Sequence, residues 1–134
     1  MEVVLVDTNV IIDYLDEESD WFDWSATMLS DVADRAVVAI NSIIYAEIAV
    51  AYSRIEDVES AIPEQFFTRL QLPWAAAFLA GQVFKQYRRR GGKRTGVLPD
   101  FFIGAHTAVA GLTLLTRDAR RYRQYFPKIR LIAP

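Results

Sequence analysis

The strongest constraint on this chain is an apolar run that stops abruptly on a carboxylate. Glu2 is followed by Val3-Val4-Leu5-Val6, and then by Asp7-Thr8-Asn9. The run is short, β-branched and does not alternate. It therefore reads as a strand buried on both faces, as in a parallel sheet covered by helices. Ligands of open α/β sheets sit just beyond the carboxyl ends of such strands. Asp7 thus stands either at a functional edge or as the N-cap of a helix through Asn9-Val10-Ile11-Ile12-Asp13-Tyr14-Leu15.

The same grammar recurs along the chain. Ala36-Val37-Val38-Ala39-Ile40 and Leu112-Thr113-Leu114-Leu115-Thr116 predict further buried strands, and Arg130-Leu131-Ile132 a last one. Thr68-Arg69-Leu70-Gln71-Leu72 alternates and suits a short edge strand. Between these, the 3.6-residue period predicts a helix over 21–35, with Trp21, Trp24, Met28, Leu29 and Val32 at core spacing. The stretch 43–54, capped by Asn41 or Ser42, carries a stripe of Ile43, Ile44, Ile48, Val50 and Ala51. A short helix over 57–62 precedes Pro63. The stretch 74–90 offers Ala75, Phe78, Leu79, Val83 and Tyr87 to its buried face, and the helix from Leu98 has Pro99 in its first turn and Gly111 at its end. A last short helix begins at Asp118. Strands alternating with helices predict an α/β fold, three-layer α/β/α with a central, mainly parallel sheet. With 134 residues and no linker-like stretch, 1–134 forms one domain.

Composition removes several classes of function. The chain has no cysteine and a single histidine, which excludes a disulfide scaffold or thiolate site and argues against a multi-histidine zinc centre. No apolar run is long enough for a bilayer, and the acidic start does not resemble a signal peptide, so a cytoplasmic protein is expected. The formal net charge of −2 conceals two opposite halves: residues 1–67 hold 15 acids and two bases, residues 68–134 hold 13 bases and two acids. Asp100 and Asp118, the two acids of the basic half, are either ion-pair partners or groups that a chemistry requires.

Glu47 is the third unusual carboxylate, because it falls inside the apolar stripe of its helix, where an unpaired charge is costly. Asp7 and Asp118 end strands, Asp100 begins a helix, and Glu47 lies about one turn into a helix that follows a strand. In a doubly wound sheet these positions gather at one edge. Four carboxylates there repel one another unless a positive charge sits among them. Hard oxygen donors without Cys or a His cluster point to Mg²⁺, with Mn²⁺ as the alternative. Arg88-Arg89-Arg90-Gly91-Gly92-Lys93-Arg94 places five positive charges in seven residues, more than a helix dipole needs. A metal cluster beside a basic loop describes a phosphodiester hydrolase. His106 is read as a packed residue outside the site, and an exposed aromatic among Trp21, Phe22 and Trp24 as a contact for a protein partner.

Asp7-Thr8-Asn9, Ser42 with Glu47, Leu98-Pro99-Asp100-Phe101-Phe102-Ile103-Gly104-Ala105-His106 and Thr116-Arg117-Asp118 together resemble the PIN domain, and more narrowly the VapC-type toxins of toxin–antitoxin pairs. The resemblance spans essentially the whole chain and is thinnest between Glu56 and Leu98. It implies a Mg²⁺-dependent endoribonuclease, usually a homodimer, held inactive by a cognate antitoxin. It also places the acidic quartet on Asp7, Glu47, Asp100 and Asp118, with Thr8, Asn9 and Thr116 in support. In this reading Asp7 and Asp100 hold the metal, Asp118 completes its shell or binds a second ion, and Glu47 orients water. Arg88, Arg89, Arg90, Lys93, Arg94 and Arg117 are the expected contacts to RNA phosphates. Two rivals share parts of the pattern. An aspartyl phosphatase expects Asp-x-Asp after its first strand, where this chain has Asn9. A PIN-type RNA-processing nuclease without an antitoxin, or a non-catalytic RNA-binding module, would share the fold.

Overall fold

The computed structural model describes residues 1–93 and 96–134, in which seven helices and five strands alternate. The strands are β1 (Val3–Val6), β2 (Val37–Ile40), β3 (Thr68–Arg69), β4 (Thr113–Leu115) and β5 (Arg130–Ile132). They form one sheet in the order β3-β2-β1-β4-β5, with every neighbouring pair parallel. The helices are α1 (Thr8–Tyr14), α2 (Phe22–Arg35), α3 (Ser42–Ala49), α4 (Ile55–Ala61), α5 (Trp74–Arg89), α6 (Leu98–Ala110) and α7 (Arg120–Tyr125). They cover the sheet in the expected three-layer α/β/α arrangement.

β1 lies at the centre, which explains its unbroken apolar run. Val4, Leu5 and Val6 are fully buried, and β2 and β4 flank them in register Val4↔Val38 and Val4↔Thr113. Because all strands run the same way, their carboxyl ends share one edge, where Asp7, Asn41 and Thr116 leave the sheet. The ladder continues one step past the strands there, through Asp7 N–H to the Leu115 carbonyl at 2.9 Å and Thr116 N–H to the Ile132 carbonyl at 3.0 Å. Each aspartate or threonine that ends a strand is thereby fixed by its backbone.

Two helices differ from their expected faces. α3 stops at Ala49, so Val50 (86% exposed) and Ala51 lie beyond its end in solvent, not on its buried stripe. α5 buries Ala76, Ala80 and Val83, while Phe78 stands 70% exposed and Ala75 is exposed as well. Alanines at the contact let α5 approach α6 closely, and this outweighs the larger transfer energy of Phe78. α6 ends at Gly111, whose φ of +65° is the left-handed cap that glycine adopts without cost. Within α6, Gly104 is required by space, since a Cβ there would lie 2.4 Å from the Phe126 ring.

Candidate active site

Asp7 stands at the carboxyl edge of the sheet and at the start of α1. It is the N-cap of α1, with Oδ1 accepting from Thr8 N–H at 2.8 Å. Its Oδ2 accepts from the Thr116 hydroxyl at 2.8 Å and the Tyr122 hydroxyl at 2.9 Å, with the Asn9 amide at 3.4 Å. Every one of these donors is neutral, and Asp7 is 4% exposed. Burial, then the charge of nearby Asp100, pushes its carboxyl up to about 6, although the hydroxyl donors hold it back. Such a group, short of positive charge at a sheet edge, is poised for a cation.

Glu47 reaches the same edge from α3. Its Oε1 accepts from the Thr8 hydroxyl at 2.7 Å, which ties α3 to the first turn of α1. Burial, and next the charge of Asp100, raises its carboxyl above the usual range. The Asn41 side chain caps α3 by accepting from Ile44 N–H at 3.0 Å. The same amide lies 3.0 Å from His106 Nδ1, and burial lowers the pKa of this histidine. His106 is therefore a neutral packing residue, as its position suggested.

Asp100 and Asp118 have cationic partners instead. Asp100, in the first turn of α6, accepts from Arg121 Nη1 at 2.6 Å. Burial still raises its carboxyl, against the lowering effect of that guanidinium. Asp118 follows β4 and is paired with Arg120 at 3.2 Å through both oxygens. That bond holds its carboxyl below the usual range. Asp7, Asp100 and Asp118 line one cleft of about 390 Å³ with Asn9, Arg120, Arg121, Tyr122 and Gln124. Glu47 stands behind Thr8 and does not line it. Among the described residues, no three acids are drawn together as a ready-made metal cage.

Residues 4–127 match the family model of the PIN domain. This chain belongs to the PIN domain family. Among solved structures it is similar to VapBC2 from Rickettsia felis, solved bound to a DNA fragment from their promoter: 18% identity, 98% of each chain covered, TM-score 0.74. It is similar to DNA-bound VapBC from Salmonella typhimurium at 22% identity over 99% of this chain and 98% of that one, with a TM-score of 0.72. It is also similar to Mycobacterium tuberculosis VapC20, a sarcin–ricin loop cleaving toxin, at 10% identity over 87% and 91% of the two chains, with a TM-score of 0.62. At these identities the likeness is one of fold. No curated protein matches by sequence.

For this PIN domain, the four acids expected from sequence lie along one sheet edge, with Thr8, Asn9 and Thr116 hydrogen-bonded to them or between them. Arg117 is committed elsewhere. Its guanidinium grips the buried Asp13 at 2.7 and 3.2 Å and lies 5.7 Å from the Trp21 ring centroid. Asp13 also accepts from Ser19 and Ser25, each at 3.0 Å, and Arg117 N–H donates to Asn9 Oδ1 at 3.1 Å. Arg117 thus braces the loop that carries Thr116 and Asp118. Of the basic stretch, Arg88, Arg89 and Arg90 are exposed, and Arg90 lies 5.8 Å from the ring centroid of Tyr125 on α7. Lys93 N–H donates to Tyr87 Oη at 3.2 Å, and Arg94 lies outside the described residues.

Sequence reasoning missed Arg120, Arg121 and Tyr122. Their signal was available: three consecutive residues start α7 two positions after Asp118, in the half of the chain with a large excess of cations. Asp13 was missed because its partner lies 104 residues away.

Proposed function

We propose that this protein is a metal-dependent endoribonuclease and the toxin of a toxin–antitoxin pair. The observation that carries this is the set Asp7, Glu47, Asp100 and Asp118 at the carboxyl edge of a parallel sheet, three of them lining one cleft. PIN-domain membership and the fold likeness to VapBC complexes and to an RNA-cleaving toxin point the same way.

The donor set fits a hard divalent ion, Mg²⁺ or Mn²⁺: all four are carboxylates, and two of them, Asp7 and Glu47, have no cationic partner among the described residues. Asp7, Asp100 and Asp118 would hold it, with Glu47 fixing a water at its rim. Such an ion, when bound, acidifies water and stabilises negative charge on a phosphate. Thr116 and Tyr122 keep Asp7 aimed into the cleft, and Asn9 ties it to the loop of Asp118. The only histidine is buried away from the cleft, so the chain offers no imidazole to activate a ribose 2′-hydroxyl. Water then attacks phosphorus, the P–O3′ bond breaks, and the products carry a 5′-phosphate and a 3′-hydroxyl. Arg88, Arg89, Arg90 and Lys93, next to α7, supply positive charge for the RNA strand.

Two exposed apolar surfaces suit the expected partners, an antitoxin and a second copy of the chain. Ile12, Leu15 and Trp21 are exposed around the connection from α1 to α2, and Trp74 and Phe78 on α5 are 91% and 70% exposed. Among the described residues no helix is long and apolar enough to cross a membrane.

The test is cleavage of structured and single-stranded RNA, with end-group analysis and a parallel reaction in excess EDTA. The expected result is metal-dependent cleavage with 5′-phosphate ends, suppressed by co-expression of the neighbouring gene product. Cleavage that persists in EDTA and leaves 2′,3′-cyclic phosphates would refute the mechanism. Cleavage that no encoded partner suppresses would leave an RNA-processing nuclease.

A further inference from the structure

Three consecutive residues at the start of α7 each take one acid of the site. Arg120 pairs with Asp118, Arg121 with Asp100 at 2.6 Å, and Tyr122 donates to Asp7 at 2.9 Å. The two guanidiniums occupy the cleft wall together with the carboxylates they neutralise. Among the described residues no three acids form a ready-made cage, and two of the three aspartates lining the cleft are already engaged by these guanidiniums.

We infer that Arg120 and Arg121 are internal counter-ions that exchange partners: they hold Asp118 and Asp100 in the metal-free protein and turn to substrate phosphates when a divalent ion takes those carboxylates. The inference rests on the metal-nuclease reading and deepens it. Two features support the exchange. Both side chains have solvent on one side, Arg120 at 89% and Arg121 at 37% exposure, so each can swing without unpacking the core. Both are guanidiniums, whose planar fork serves a carboxylate and a phosphate equally well. Tyr122 is different, because it is buried and its hydroxyl remains on Asp7 as a pivot. Metal uptake and strand binding are therefore coupled through one short helix, and the two guanidiniums keep an anionic partner at each stage.

The test uses Mn²⁺ alone and a short single-stranded oligouridine as probes, with calorimetry and anisotropy as readouts, on the wild-type protein and on Arg121→Met, Arg120→Met and Arg121→Lys. Removing the competing guanidinium in Arg121→Met should tighten Mn²⁺ binding roughly fivefold, the scale of a partly exposed charged hydrogen bond. The same variant should bind oligouridine more weakly than wild type at saturating Mn²⁺, so the two affinities move in opposite directions. Arg120→Met should do the same more weakly, and Arg121→Lys should fall in between. A merely structural role would weaken both affinities together. If the wild-type protein takes up no Mn²⁺, the metal-nuclease reading fails along with this one. If it does and Arg121→Met takes up Mn²⁺ no more tightly, with its circular dichroism unchanged, only the exchange is refuted.

Discussion

The two sides of the candidate site solve the same electrostatic problem differently. On the β1 side, Asp7 and Glu47 are held by hydroxyls and a backbone N–H, from Thr8, Thr116 and Tyr122. On the β4 side, Asp100 and Asp118 are held by arginines. Hydroxyls fix a carboxylate in place without cancelling its charge, and burial, with the charge of Asp100 behind it, pushes Asp7 up to about 6 against the lowering effect of those bonds. Arg120 opposes that charge and Asp118 is lowered, whereas burial keeps the deeper Asp100 raised despite Arg121. One side of the cleft therefore stores unmet demand for a cation, and the other carries a cation already in place. A site built entirely the first way would resist folding, and one built entirely the second way would have little use for a metal.

The largest effect should come from removing the unmet charge. Asp7→Asn keeps the size and one acceptor, so the fold should survive while RNA cleavage falls on the order of a thousandfold, the scale of losing one preorganised charge-stabilising group. Asp118→Asn, at the compensated and half-exposed end, should cost less. Equal losses in single-turnover assays would erase the distinction between the two sides.

Next in size is the brace behind the compensated side. Asp13→Asn leaves Arg117 beside a neutral partner and should lower unfolding free energy by about 3 kcal/mol, as expected when one member of a largely buried pair is lost. Chemical denaturation would measure it. A change within error would mean that the loop after β4 is held by Thr116 and the Arg117 N–H bond to Asn9 without the Asp13 clamp.

The third comparison is against pH. The folded-state value for Asp7 lies above its unfolded value of 3.8, so the folded protein holds that proton more tightly. Ionised Asp7 then costs stability at neutral pH, and the cost disappears as pH falls from about 6 to below 3.8. Metal-free Asp7→Asn should be more stable than wild type at pH 7.5 by up to about 3 kcal/mol, since each pKa unit is worth about 1.4. The gain should shrink to nothing near pH 3.5. An advantage that grows on acidification would reverse the sign and contradict the burial argument.

The smallest effect belongs to the basic stretch, which touches neither side. Alanine at Arg88, Arg89, Arg90 and Lys93 should leave melting temperature and intrinsic cleavage unchanged. Each should lower the salt slope of single-strand RNA binding by roughly 0.7. An unchanged slope would make the stretch an ordinary solvated helix end.

How much of this could be read from the sequence follows the range of the interactions involved. β1, β2 and β4 were legible because strands buried on both faces announce themselves as continuous apolar runs. The acids were legible because each occupies a fixed place relative to a strand end or helix start, and a parallel sheet sends all such places to one edge. The face of α5 was not, since Phe78 outranks Ala76 and Ala80 on any hydrophobicity scale while close helix packing favours the alanines. Val50 was misplaced because nothing local marks the end of α3 at Ala49. The clamp of Asp13 with Arg117, and the pairing of Arg121 with Asp100, join residues 104 and 21 positions apart, and no periodicity encodes them.

The strand order carries a consequence for synthesis. β1 is central, and its β4 neighbour follows it only at Thr113. A nascent chain that has left the ribosome as far as α6 still has an open sheet edge beside Asp7, no Thr116 or Tyr122 to orient that carboxylate, and no Asp118. Contacts so distant along the chain also form late in folding. The cleft therefore comes into being only after β4 and α7 have been made. No fragment lacking β4 and α7 can assemble it.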